Sequence, residues 1–206
     1  MEYLVTMTTH VPDRTPDAAV NDIRSREAAH TKELAAEGHL LRLWRPPLQP
    51  GEWRTLGLFD AADAAELETV LESMPLRIWR TDEVTPLLPH PNDPGPPTRG
   101  AGSSDTAEGG SEFFTTFTIT IPPDTPASAV DAMEAREADR TGELAAQRTL
   151  LRLWALAGER RSLGLWFAQD AEDMGATMDS LPLRAWLDVQ TTQLTPHPSD
   201  PASTPG

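Results

Sequence analysis

Hydrophobic Phe113, Phe117, Ile119 and Ile121 alternate with Phe114, Thr116, Thr118 and Thr120, a period of two that predicts a strand. Tyr3, Val5 and Met7 give the same signal more weakly near the start of the chain. After each strand a proline, Pro16 or Pro126, stands where the first turn of a long helix is expected, since a missing N–H costs nothing there. Val20, Ile23 and Leu34 then fall on one stripe at helical period, and Gly38 predicts the stop. Two short strands follow, Leu40–Trp44 and Thr55–Phe59, joined as a hairpin by a loop containing Gly51. Asp63, or Asp170 in the second half, is placed to cap a second helix carrying Leu67, Val70 and Leu71, or Met174 and Met178. Pro75-Leu76 ends it, and an extended stretch through Val84 leads into a proline-rich tail. The order β-α-β-β-α-β is that of the ferredoxin-like split βαβ unit, so the expected class is α+β.

The pattern is written twice. Leu-Leu-Arg-Leu-Trp occurs at 40–44 and at 150–154, Arg26-Glu27-Ala28 returns as Arg136-Glu137-Ala138, and Pro89-His90-Pro91 returns as Pro196-His197-Pro198. The offset is 110 residues before the tryptophan and 107 after it, so the gap falls in the loop after Trp44. The expected organisation is repeat 1 over 1–94, a linker over 95–111, repeat 2 over 112–201 and a tail over 202–206. The linker is rich in Gly, Ser and Pro, has almost nothing to bury, and reads as flexible. Two copies are too few for a solenoid. They suggest a fused dimer, each half burying the other's open sheet face.

Charge and composition narrow the partners. The 206 residues carry 17 Lys+Arg against 32 Asp+Glu, a formal net charge of −15, which repels nucleic acid and anionic membrane surfaces. There is no cysteine, which excludes disulfides, Cys-ligated metals and thiol nucleophiles. No apolar run approaches a membrane span and no signal-peptide pattern opens the chain, so a soluble cytoplasmic protein is expected. The five histidines form no metal-binding spacing, and no phosphate-binding glycine loop or nucleophile elbow occurs, so neither metal nor cofactor is expected.

The most informative residue is a carboxylate on an apolar helix face. At 100° per residue, Glu27 falls among Val20, Ile23, Thr31 and Leu34, and Glu137 among Val130, Met133, Thr141 and Leu144. A charge there is costly unless paired or protonated, and burial raises its pKa toward the range useful for proton transfer. The alternative is a structural ion pair with an arginine. Arg42 with Trp44, and Arg152 with Trp154, form the second candidate. Period two puts Leu41 and Leu43 on one strand face and Leu40, Arg42 and Trp44 on the other, where an arginine beside an indole suits a planar anionic ligand. The alternative there is an interface ion pair. His30 neighbours Glu27 on the helix and has Arg140 as its counterpart, so both are candidate substrate contacts. His90 and His197 lie in Pro-His-Pro tails and are weaker candidates.

Each half resembles the muconolactone Δ-isomerases. The resemblance rests on the Glu27 helix ending Glu33-Leu34-Ala35-Ala36-Glu37-Gly38, and on Leu43-Trp44-Arg45, Leu58-Phe59-Asp60, Met74-Pro75-Leu76, Glu83-Val84 and His90-Pro91. It implies two ferredoxin-like βαββαβ repeats packed as an intramolecular dimeric α+β barrel, cofactor-free movement of a double bond in a small carboxylate-bearing lactone, and Glu27 and Glu137 as the family's helix acid. The family's large homo-oligomers imply either a monomeric pseudo-dimer or an oligomer of fused units here. Ala28 and Ala138 stand where the family commonly has Lys, while Glu83, Asp60 and Arg45 become Gln190, Phe167 and Ala155 in the second copy. The polar lining is therefore rewritten.

The expected function is thus a proton-shifting isomerase, or a cyclase variant, acting on a small unsaturated lactone or polyketide-type substrate. Its rivals are a non-catalytic small-molecule binding protein on the same fold and a cofactor-free monooxygenase of a related barrel family.

Overall fold

A computed structural model describes residues 1–95 and 109–203, so most of the expected linker and the last three residues lie outside the described residues. The chain divides into two compact units. One is Met1–Leu87 with Thr195–Gly206, the other Leu88–Leu194.

In the first unit β1 (Glu2–Thr9), α1 (Asp17–Glu37), β2 (Leu40–Arg45), β3 (Arg54–Asp60), α2 (Ala64–Ser73) and β4 (Arg80–Pro86) follow one another. The strands form an antiparallel sheet in the order β4-β1-β3-β2, the ferredoxin-like arrangement the periodicities predict. Pro16 is the N-cap rather than the first helical residue of α1, and Gly38 closes the helix at φ 86°. Only glycine takes that left-handed conformation without cost. Asp63 caps α2 as expected, accepting the N–H groups of Ala65 and Glu66 at 2.9 and 3.0 Å. Pro75 then opens a short 3-10 turn, Pro75–Trp79, that leads directly into β4.

The second unit repeats the plan. It starts with the two-residue β5 (Leu88–Pro89), followed by β6 (Ser111–Ile119), α3 (Ala127–Ala146), β7 (Leu150–Ala155), β8 (Arg161–Ala168), α4 (Ala171–Asp179) and β9 (Leu187–Pro196). The order is β9-β6-β8-β7-β5. β6 stops at Ile119, short of the expected Ile121, because Pro122 and Pro123 deny the ladder two donors and restrict the residue before them.

Each unit is completed by the tail of the other repeat. In the second unit Leu88 and Pro89, the end of repeat 1, pair with Ala155 and Trp154 of β7. In the first, Thr195 and Pro196, the end of repeat 2, pair with Arg45 and Trp44 of β2.

One expectation about faces is corrected. Leu40 and Leu43 sit together in the core that also holds Leu34, Leu67 and Leu71, although strict alternation puts them on opposite faces. A register shift between Leu40 and Arg42, and its twin between Leu150 and Arg152, inserts one residue and reverses the parity. Leu150 and Leu153 accordingly share the second unit's core with Leu144, Met174 and Met178.

Candidate active site

The two long helices carry their glutamates to equivalent places, and the surroundings then differ. In both units one carboxylate oxygen is anchored on the turn before the last strand. Glu27 Oε2 accepts the Leu76 N–H at 2.8 Å, and Glu137 Oε2 accepts the Leu183 N–H at 2.9 Å. Thr31 and Thr141, one turn further on, return their hydroxyl protons to the helix carbonyls of Glu27 and Glu137 and so need no partner in the interior.

In the first unit the other carboxylate oxygen meets a buried cation. Arg80, whose side chain is 2% exposed, sets Nη1 3.4 Å from Glu27 Oε1 and Nε 2.6 Å from Asp82 Oδ1. Arg77 extends the network, with Nη1 2.9 Å from Asp82 Oδ2. Burial raises the Glu27 pKa above its ordinary value, opposed by the Leu76 hydrogen bond and by the positive charge of Arg80.

In the second unit Arg80 and Asp82 have become Leu187 and Val189. Beside Leu187 lies a cavity of about 300 Å³ with Glu137 in its wall. Phe117, Leu153, Trp166 and Leu183 supply apolar walls, and Ser162 and His90 are polar neighbours of Glu137 around the same space. Among the described residues no cation pairs with Glu137. Burial raises its pKa, opposed only by the Leu183 N–H. Trp166 is held edgewise by Phe117 and donates its indole N–H to the buried Thr115 hydroxyl at 2.7 Å. The ring needs Gly164, where a Cβ would overlap the indole nitrogen.

His90 comes from the tail of repeat 1. Its Nδ1 accepts the Asn92 N–H at 3.1 Å, which places the ring proton on Nε2 in the neutral form. Burial lowers its pKa, partly offset by Asp93, so the neutral form prevails near pH 7. His197 makes the equivalent bond to Ser199 N–H in the first unit, and burial with the charges of Arg45 and Arg24 pushes its pKa down to about 4.

The other expected site residues lie elsewhere. Arg42 is clamped by Asp200, with Nη2 3.1 Å from Oδ2, and stacks 4.7 Å from the Trp44 ring. Arg152 is likewise held by Asp93 at 3.2 Å and stacks 4.7 Å from Trp154. Asp200 and Asp93 also accept the Leu43 and Leu153 N–H groups, at 3.0 and 2.8 Å. The guanidinium–indole pairs are real, but they receive a carboxylate of the chain itself, and neither pair is part of the cavity wall. His30 bridges Ser73 and Glu33, close enough to Glu27 for its charge to act on it, and Arg140 bridges Ser180 and Glu143 and is not among the cavity's lining residues, so both tie one helix to the end of another. Among the described residues no cluster of His, Asp and Glu is arranged to hold a metal, and no helix is long and apolar enough to cross a membrane.

The profile of the muconolactone delta-isomerase family matches residues 1–93 and again 111–200. The chain belongs to that family. Among curated members, a muconolactone delta-isomerase of Cupriavidus pinatubonensis is 37% identical over 92 residues, 45% of this chain and 97% of that protein. One of Acinetobacter lwoffii is 34% identical over 92 residues, 45% of this chain and 93% of that one. Each relative thus corresponds to one repeat, and this muconolactone isomerase-family chain is a tandem form. Homology to these relatives supports an isomerase-like function. Over 95% of the chain the fold also matches a chlorite dismutase of Candidatus Nitrospira defluvii, at a TM-score of 0.57, 10% identity and 91% coverage of that structure. At that identity the likeness concerns the fold alone.

The buried carboxyl of Glu137 has a consequence for stability. Its folded-state pKa lies above the ordinary 4.5, so the native state binds more protons than the unfolded chain in the interval between the two values. Stability is therefore lost as pH rises through that interval. Glu137→Gln, which cannot ionise, is expected to flatten this decline, as measured by urea unfolding at a series of pH values from about 4.5 upward. An unchanged slope would mean that the carboxyl is hydrated in the native state.

Proposed function

We propose that the cavity of the second unit shifts a proton, and with it a double bond, in a small unsaturated lactone or polyketide-type substrate, with Glu137 as general base and acid. The observation that carries this reading is the contrast between the two copies. Glu27 is tied to a buried arginine, whereas Glu137 faces a cavity with chiefly apolar walls and, among the described residues, pairs with no cation.

The chemistry needs one group that removes a proton from carbon and returns it nearby. Glu137 takes the proton from one end of a three-carbon unit conjugated to a carbonyl. The electron pair released delocalises toward the carbonyl oxygen as a dienolate. The same carboxyl then delivers the proton to the other end, so the double bond moves and nothing is oxidised or reduced. The low-dielectric wall of Phe117, Trp166 and Leu183 favours this in two ways. It raises the basicity of the carboxylate, and it strengthens any hydrogen bond to the developing oxyanion. The Nε2–H of neutral His90 is the donor suited to that oxyanion.

The test uses α-angelica lactone, a neutral five-membered lactone with a β,γ double bond, in deuterated buffer. Enzyme-dependent appearance of the conjugated isomer is expected by NMR, with part of the hydrogen at the shifted position carried over from the substrate because the same carboxyl returns it. Isomerisation no faster than in buffer overturns the reading. His90→Ala is expected to lower kcat by about 10²-fold with little change in KM, since the bond it removes strengthens only as the oxyanion forms. An equal rise in KM at constant kcat would instead assign His90 to ground-state binding.

A further inference from the structure

We infer that the second unit's cavity is built for an uncharged substrate and discriminates against carboxylate-bearing ones; this rests on the cavity being the reactive site. The charges at three matched positions carry the inference. Arg24, Arg80 and Asp82 of the first copy correspond to Glu134, Leu187 and Val189 in the second. Both cations have gone, and one has been replaced by an acid. Glu134 and Leu187 are wall residues of the cavity, together with Glu137. Two carboxylates therefore border a space whose other walls are chiefly apolar.

Among the described residues, basic groups close to this wall are already engaged. Arg160 lies 3.8 Å from Glu134 at an exposed position, so it offsets that acid at the rim and leaves Glu137 uncompensated. Arg152, on the neighbouring strand, is held by Asp93. His90 is kept neutral by burial. A substrate carboxylate entering this space would lose its hydration and meet a like charge, and no Arg or Lys among the described residues lines the wall to receive it. A neutral lactone or polyketide-type ring loses little hydration and gains contact with Phe117, Trp166 and Leu183. The cavity, at about 300 Å³, has the volume for a small ring system of that kind.

The experiment compares two probes that differ by the charged group alone, coumarin and coumarin-3-carboxylate. Each is titrated calorimetrically into the full-length protein near pH 7. Coumarin is expected to bind at least about tenfold more tightly than its carboxylate. Two variants return the first copy's charge to this wall. Glu134→Arg lies at an exposed position and leaves the core intact, and Leu187→Arg places the cation where Arg80 stands in the first unit. Each is expected to narrow the preference by about tenfold, chiefly by improving carboxylate binding. Equal or tighter binding of the carboxylate to the unaltered protein overturns the inference, as does failure of both probes to bind at millimolar concentration. The catalytic reading fails separately. If Glu137→Gln leaves isomerisation intact while the neutral preference persists, the proton shuttle is wrong and the selectivity stands. If isomerisation depends on Glu137 while the carboxylate binds better, the selectivity alone falls.

Discussion

Replacing Glu137 with Gln is expected to lower the isomerisation rate by about 10³-fold, while Glu27→Gln leaves it close to that of the unaltered protein. The two substitutions are chemically identical and sit at matched helix positions, so the difference isolates their surroundings. At Glu137 the amide keeps the Leu183 N–H bond and the shape of the wall but cannot take up a proton. At Glu27 both oxygens are already engaged, one by Leu76 N–H and the other by Arg80. Arg80 retains Asp82 when Glu27 is neutralised, so the first unit keeps a paired cation and its fold. Steady-state rates of both variants on α-angelica lactone, with circular dichroism to confirm folding, decide the matter. Equal losses in the two variants would make both repeats catalytic and contradict the assignment to the second.

A second large effect is expected far from the cavity. Asp200→Ala should destabilise the protein by about 3 kcal/mol, because it removes a fully buried carboxylate that anchors the Arg42 guanidinium. The Asp200 side chain is 0% exposed and Arg42 only 21%. The aspartate also takes the Leu43 N–H, so its loss orphans a backbone donor in β2 as well. Over a chain of this size the midpoint of thermal unfolding should fall by about 6–12 °C. Asp93→Ala removes the matching contact to Arg152 and Leu153 N–H, where the carboxylate is somewhat more exposed, and a smaller shift is expected. Differential scanning calorimetry of the two variants checks both the size and the order. A shift within about 2 °C for Asp200→Ala would show that the pair merely breaks even with its desolvation.

What could be read in advance followed from local physics. Period two in β6, period 3.6 in α1 and the capping aspartates of α2 and α4 are decided by neighbours a few residues away, and they gave the ferredoxin-like order correctly. Glu27 and Glu137 were visible for the same reason, as polar residues that break an apolar stripe. The missed features depend on partners distant in sequence. Arg42 reads as a ligand-binding side chain because nothing near it announces Asp200. The parity error at Leu40 and Leu43 came from a single inserted residue, which alternation cannot detect. His90 reads as part of a proline-rich tail because its place in the cavity wall depends on where the tail packs. Aligning the two copies puts Arg80 opposite Leu187 and Asp82 opposite Val189, and the loss of a charged pair beside a buried acid marks the copy in which that acid has lost its arginine.

The exchanged tails make the two halves poor building blocks in isolation. The histidine that borders the second unit's cavity is encoded before the linker, and the aspartate that locks the first unit's β2 is encoded almost at the end of the chain. Cutting at the evident repeat boundary would hand each fragment the wrong finishing piece. Recombination that swaps one repeat for a foreign copy therefore imports a new tail into the unit it was meant to leave alone, and tandem relatives of this type are expected to diversify as whole chains rather than as interchangeable cassettes.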